Sequence, residues 1–359
     1  MTNTIDMAER LVPALFDLQV NGFGGVEFAS ERLSESAVRQ VASAMARMGV
    51  ARFCPTLTTA SPDCLRHGLT VLATVCRQDA LLAVTMPGFH LEGPYISSQD
   101  GPRGAHPLAW CHAPNRQEFT TFQEAAEGRI RLVTLSPEYD ESPDFIRWLV
   151  DEMGVCVAIG HTAANADQIT AAVAAGASLS THLGNGSHAL LPRLRNYLWT
   201  QLAEDRLAAT MIADGFHLPM DVLRVFLRAK GVERACLVSD LAAVAGQKPG
   251  VYESSLCRAE LLEDGRLVVA GQREFLAGAA TPLVQGVENL IQRIGVPWEL
   301  AWSLASVRPA QIFHQNSDIC SQTILDERTY NRILIDDLNR ITIVETVLRG
   351  TSVFKIPHA

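Results

Sequence analysis

The amino-acid sequence predicts a (β/α)8 barrel of the TIM type with a small β appendage. Three observations carry the prediction. Eight short, β-rich apolar runs recur between residues 13 and 239. Helix-compatible segments separate most of them. Four residues of metal-ligand type, Glu92, His161, His182 and Asp240, each directly follow one of the runs. A (β/α)8 barrel builds its active site at the C-terminal ends of its strands, so distant residues at equivalent points of the repeated unit converge on one place.

The eight runs span residues 13–20, 51–57, 83–91, 130–136, 155–160, 177–181, 208–213 and 234–239. Several are continuously apolar, the pattern of strands buried on both faces. Ser34 is placed to cap the helix SESAVRQVASAMARMG, which Gly49 closes. Ser61 caps the next helix, with Pro62 at its first position. An Ala-rich helix over 165–175 stops at Gly176, and one over 219–230 stops at Gly231. Two more helices are expected over 281–294 and 298–304. The final runs, RILIDD, RITIVETVLRG and TSVFKI, are strand-like and separated by turns. The expected division is a barrel over 13–318 and a β appendage from 1–12 and 319–359.

The composition is that of a soluble globular chain: 359 residues, 48% hydrophobic and 19% charged. A net charge of −9 argues against nonspecific nucleic-acid binding. The eight cysteines form no CxxC pair and mostly lie in apolar runs, as buried free thiols do. The first twenty residues lack the basic-then-apolar order of a secretory signal. No apolar run approaches the roughly 20 residues of a membrane span. A cytoplasmic location is therefore expected.

Glu92, His161 and His182 make a two-His, one-Glu set, which suits a catalytic metal with one position left for water. A bound divalent ion lowers the pKa of that water towards neutrality, to about 7 for zinc. Hydrolysis also needs a group to take and return a proton, and Asp240 is the candidate. Each residue has a plainer reading. The histidines can be satisfied strand-end residues, and Asp240 can cap the segment after it, LAAVAGQKPG, which reads as a loop. Their shared placement favours chemistry.

These motifs make the chain similar to a known family. PALFDLQVNGFGG, GFHLEGPYIS with GPRGAHP, AIGHTAANADQ, STHLGN, MIADGFHLP, LVSDLAAVAG and LAGAATPL occur in the order found in the N-acetylglucosamine-6-phosphate deacetylase family of the amidohydrolase superfamily. The resemblance runs from about residue 13 to 353. It implies a barrel that removes the acetyl group of an N-acetylated amino sugar, with N-acetylglucosamine 6-phosphate as the expected substrate. It implies that Glu92, His161 and His182 bind the metal and that Asp240 and His106 are catalytic, His106 by polarising the amide carbonyl. It further implies that His217, Asn185, Gly186 and Arg193 bind substrate. The ion is expected to be zinc, with iron, manganese or cobalt able to use the same ligands. Many amidohydrolases carry a His-x-His pair on the first strand. Here Gln19 and Asn21 stand instead, and neutral amides are poor transition-metal ligands, so one metal is expected. Asp17 and Gln19 are expected to organise hydrogen bonds on the barrel floor. A homodimer is also implied.

Two departures stand out. Arg193 keeps the place of the family's phosphate-binding arginine, but Leu194, Arg195 and Asn196 replace the Glu-Pro-Gly that follows it. Only 12 residues precede the first run, so the appendage must come mainly from C-terminal strands. Two other functions stay open: hydrolysis of an unphosphorylated N-acyl sugar or N-acyl amino acid, and a non-catalytic barrel that binds metal or sugar.

Overall fold

The computed structural model describes residues 8–315 and 326–357. Eight parallel strands follow one another around a barrel: Leu15–Val20, Val50–Thr58, Phe89–Glu92, Ile130–Leu135, Cys156–Ile159, Leu179–Ser180, Ala208–Ile212 and Ala235–Val238. Closure lies between the eighth and the first. There the Asp240 N–H donates to the Gln19 carbonyl at 3.0 Å, and Val20 forms a parallel bridge with Leu241. The strands are buried along nearly their whole length, which accounts for their continuously apolar sequences. Phe16, Leu18, Leu132, Cys156, Ile212 and Cys236 fill the lower interior. Phe313, from the helix Val307–Gln315, meets Phe16 edge-on at 5.6 Å and plugs the floor.

The helix ends expected from sequence are present. The Ser34 and Ser61 side chains accept from the N–H groups of Ala37 and Cys64. Asn165 and Gln168 form a reciprocal capping box.

The sequence reading departs from the structure at three places. The run 83–91 is not one strand. Asp79 accepts hydrogen bonds from the Leu81 and Leu82 N–H groups, which nucleates the helix Ala80–Thr85, and the strand begins only at Phe89, after Pro87 and Gly88. The segment 250–276, read without strands, forms a four-stranded antiparallel sheet: Gly250–Glu253, Arg258–Leu261, Leu267–Val269 and Gln272–Leu276. Its signal was the Asp264-Gly265 turn between alternating apolar residues, a hairpin pattern. The helix expected over 281–294 is α-helical from Leu283 to Asn289 and continues as a π-helix, Leu290–Ile294.

The small sheet is antiparallel, in the order Ala8–Pro13, Tyr330–Ile335, Ile341–Leu348, Thr351–Lys355. Three of its four strands come from the C-terminal segment. The boundary expected near 318 lies outside the described residues, as do residues 1–7.

Candidate active site

Glu92, His161, His182 and Asp240 meet at the C-terminal mouth of the barrel. The His182 Nε2 lies 2.9 Å from Glu92 Oε1, the His161 Nε2 lies 3.3 Å from the same oxygen, and the two Nε2 atoms are 3.1 Å apart. Ligands held about 2.0–2.2 Å from a tetrahedral ion are roughly 3.3–3.6 Å from each other. The three atoms therefore nearly reproduce the spacing of one coordination sphere. All three residues are buried. His161 Nδ1 donates to the Pro102 carbonyl at 2.9 Å, which leaves the neutral ring's Nε2 lone pair facing Glu92 and His182. Glu92, His106 and His161 also present donor atoms within 4.8 Å of one another. The residues present thus fit a divalent cation.

The backbone at these positions is unusual. His161, His182 and Asp240 have φ of 48°, 28° and 54°, three of the six non-glycine residues with positive φ among the described residues. Such conformations cost about 1–3 kcal/mol each and persist only where neighbours enforce them. The enforcement is visible. The Ser97 N–H holds the His161 carbonyl, Thr210 Oγ1 accepts the His182 N–H at 2.6 Å, and Gln19 accepts the Asp240 N–H. Each strand ends in a left-handed turn that aims its side chain across the barrel mouth.

Gln19 and Asn21 occupy the places of the absent His-x-His pair. Gln19 Nε2 donates to Glu92 Oε1 at 2.9 Å and to Asp240 Oδ1 at 3.0 Å, and Asn21 Nδ2 donates to the same Asp240 oxygen at 2.7 Å. Asp17 lies below and accepts the Gln19 and Ser239 N–H groups. Two amides thus solvate the Glu92 and Asp240 carboxylates.

The electrostatics separate the acids. Burial raises the Asp240 carboxyl above its ordinary value, and the Glu92 charge adds to this. Burial also opposes charge on Glu92, but the His161 and His182 imidazoles beside it hold it well below the usual carboxylate range. Burial works against a charged His182, yet Glu92 outweighs it and raises that imidazole. Burial lowers His106 to about 3, so its ring is neutral. The His106 Nδ1 meets Thr59 Oγ1 at 2.9 Å, and its ring packs edge-on against His161.

His217 stands across the mouth. Its Nδ1 donates to Asp214 Oδ2 at 2.7 Å, and Asp214 Oδ1 accepts the Phe216 and His217 N–H groups. Asp214 was not singled out from sequence, although it stands in the same ADGFHLP motif. Asn185 Nδ2 donates to the His182 carbonyl. Gly186 presses on His161: a Cβ there would lie 2.7 Å from Nδ1, so only glycine fits. Arg193 is exposed on the loop after the sixth strand, and no hydrogen bond or ion pair joins its guanidinium to the site among the described residues. Its carbonyl accepts from Trp199 Nε1.

No family model matches the chain. Among curated proteins, it is 35% identical over 316 residues to N-acetylglucosamine-6-phosphate deacetylase of Bos taurus, covering 84% of this chain and 74% of that one. The chain belongs to the N-acetylglucosamine-6-phosphate deacetylase family. It is also 31% identical to N-acetylgalactosamine-6-phosphate deacetylase of Escherichia coli O157:H7, over 85% of this chain and 78% of that one. Among solved structures, a mutant N-acetyl-D-glucosamine-6-phosphate deacetylase of Mycobacterium smegmatis, in complex with N-acetyl-D-glucosamine-6-phosphate, matches with a TM-score of 0.83 and 27% identity. That match covers 97% of this chain and 88% of that one. The deacetylase family thus carries the amidohydrolase barrel seen here.

Proposed function

We propose that this protein is a metal-dependent hydrolase that cleaves the amide bond of N-acetylglucosamine 6-phosphate, giving acetate and glucosamine 6-phosphate. The observation that carries the proposal is the convergence of Glu92, His161 and His182 on one point, beside an Asp240 carboxyl held by two amide donors. Glu92, His161 and His182 would hold one zinc ion, with iron, manganese or cobalt as alternatives for the same ligands. When bound, such an ion supplies a water of lowered pKa and a Lewis acid for the carbonyl oxygen.

The chain's own groups do the rest. Asp240 takes the proton of the attacking water and returns it to the departing amine nitrogen, which closes the proton balance. The Thr59 hydroxyl, 2.9 Å from His106 Nδ1 and 3.4 Å from the Glu92 carbonyl, can turn its proton to that nitrogen. The neutral His106 then carries its own proton on Nε2 and donates it to the developing oxyanion. Asp214 fixes the His217 ring in the opposite sense, by accepting the proton on Nδ1, and that ring faces the sugar. Asn185 and Gly186 form the adjoining wall, and Arg193 serves the phosphate. Gln19 and Asn21 restrict the site to one ion.

Leu190, Leu194 and Trp199 are 91%, 77% and 48% exposed around Arg193. An apolar patch this open supports a homodimer in which the loop is covered. Among the described residues no helix is long and apolar enough to cross a membrane. We place the enzyme in the cytoplasm.

The isolated position of Arg193 favours one second reading, an N-acyl amino sugar without phosphate. Acetate release decides between them. N-Acetylglucosamine 6-phosphate should be turned over faster than its unphosphorylated form and than N-acetylgalactosamine 6-phosphate. Equal kcat/KM with and without the phosphate would select the second reading.

A further inference from the structure

Beneath the converging residues lies a layer of buried polar side chains that the proposed chemistry does not use. Thr181 Oγ1 is 2.6 Å from Thr134 Oγ1, Thr134 Oγ1 is 2.7 Å from His90 Nε2, and His90 Nδ1 is 3.4 Å from Thr56 Oγ1. Thr56, His90 and Thr134 are at most 1% exposed and Thr181 is 4% exposed. Proton counting gives the chain one direction. The Thr56 hydroxyl donates to the Cys54 carbonyl, so it can only accept from His90. The His90 Nδ1 is then the donor and its Nε2 the acceptor. Thr134 must donate to that Nε2, and Thr181 must donate to Thr134. Thr56 also accepts the Val20 N–H of the first strand at 3.1 Å. One continuous chain thus ties the first, second, third, fourth and sixth strands together.

The chain touches the neighbours of all three residues that face one another above it. His90 is two positions before Glu92, on the same face of its strand. Thr181 immediately precedes His182. Gly160 immediately precedes His161, and a Cβ on it would lie 2.7 Å from Thr134 Cγ2 and 2.9 Å from Thr181 Cβ. The missing side chain at 160 lets the fifth strand press directly onto the Thr134–Thr181 pair.

We propose that the Thr181–Thr134–His90–Thr56 chain is a positioning network that sets the relative placement of Glu92, His161 and His182, and so the affinity for their ion. His90 and the three threonines are positioning residues, not ligands. This inference rests on the reading that Glu92, His161 and His182 bind the metal. Buried hydroxyls and an imidazole here are costly unless fully bonded, and such networks fix one geometry. Ligand-orienting partners of this kind typically change metal affinity about 10–100-fold when removed.

The test is zinc affinity of the full chain, measured by competition with a chromophoric chelator. It is paired with thermal melting of the metal-free protein. Thr134→Val keeps shape but breaks the chain at its centre. Thr181→Val breaks only its end, and Thr134→Ser keeps the hydroxyl. We expect Thr134→Val and Thr181→Val to weaken zinc binding about 10–100-fold, and Thr134→Ser to bind as the parent does. Metal-free melting should stay close to the parent in Thr181→Val, which carries the test if Thr134→Val does not fold. Glu92→Gln is the control for the ligand reading. Parent-like zinc affinity in both valine variants, with affinity lost in Glu92→Gln, overturns the network and leaves the ligands standing. Parent-like affinity in Glu92→Gln overturns the ligand reading itself.

Discussion

Asp240 and Asp17 are two buried carboxylates at the seam between the first and eighth strands, and their partners give them different work. Asp240 accepts side-chain amides and faces the mouth, whereas Asp17 accepts backbone N–H groups and faces the floor. Asp240→Asn should lower kcat about 10²–10⁴-fold, the usual share of a general base or acid, while zinc content measured by elemental analysis stays near one per chain. Asp17 should instead be visible in stability. Burial raises its carboxyl from 3.8 to about 7. Between those values the folded chain keeps a proton that the unfolded chain has lost. Stability in the metal-free protein should therefore fall as pH rises from about 4 to about 7. Urea unfolding of Asp17→Asn across that window should show a flatter dependence, and an unchanged slope would remove Asp17 as its source. Residue types and spacing made Glu92, His161, His182 and Asp240 legible. Nothing in the sequence showed that three of them need left-handed backbone, because that follows from the neighbouring strands' hydrogen bonds.

Elements were legible where local signals were strong. Ser34 and Ser61 announced their helices because a cap is a contact between near neighbours. The helix Ala80–Thr85 was missed because its six residues, five of them apolar, lack a period long enough to separate helix from strand, so Asp79's cap decided it. The helix Tyr197–Ala203 ends on a different device. Lys230, 1% exposed at the end of the helix Met220–Lys230, donates from Nζ to the Gln201 and Glu204 carbonyls at 2.6 and 2.8 Å. Charge-assisted bonds to carbonyls at a helix C-terminus are the favourable sense for a cation. Lys230→Met should destabilise the protein by about 1.5–3 kcal/mol, read from urea unfolding at constant metal load. The helix Tyr197–Ala203 follows the loop of Asn185, Gly186 and Arg193, so its fraying should also raise KM for the sugar.

At the scale of the whole molecule, the ion and the fold should stabilise each other, because a site assembled from the ends of the third, fifth and sixth strands does not exist in the unfolded chain. Chelation should lower the melting temperature. Zinc at a thousand times its Kd should restore about 4 kcal/mol of stability, and Glu92→Gln should show neither response. The exposed loop around Arg193 makes a second claim at this scale. Sedimentation should show a dimer for the parent chain and a monomer for Leu194→Glu, since a carboxylate at that apolar position cannot be desolvated without a partner. The sequence by itself determined the barrel, through eight buried apolar runs, and the chemical class of its site, through four residues at the run ends. Those are local properties: burial selects apolar residues, and coordination selects imidazole and carboxylate. Only the tertiary structure decided that Gln19 bridges Glu92 to Asp240, that Asp214 fixes His217, and that the Thr181–His90 chain lies beneath the site. The Gln19–Asp240 pair is 221 residues apart, and closing the barrel is what brings them within hydrogen-bonding reach.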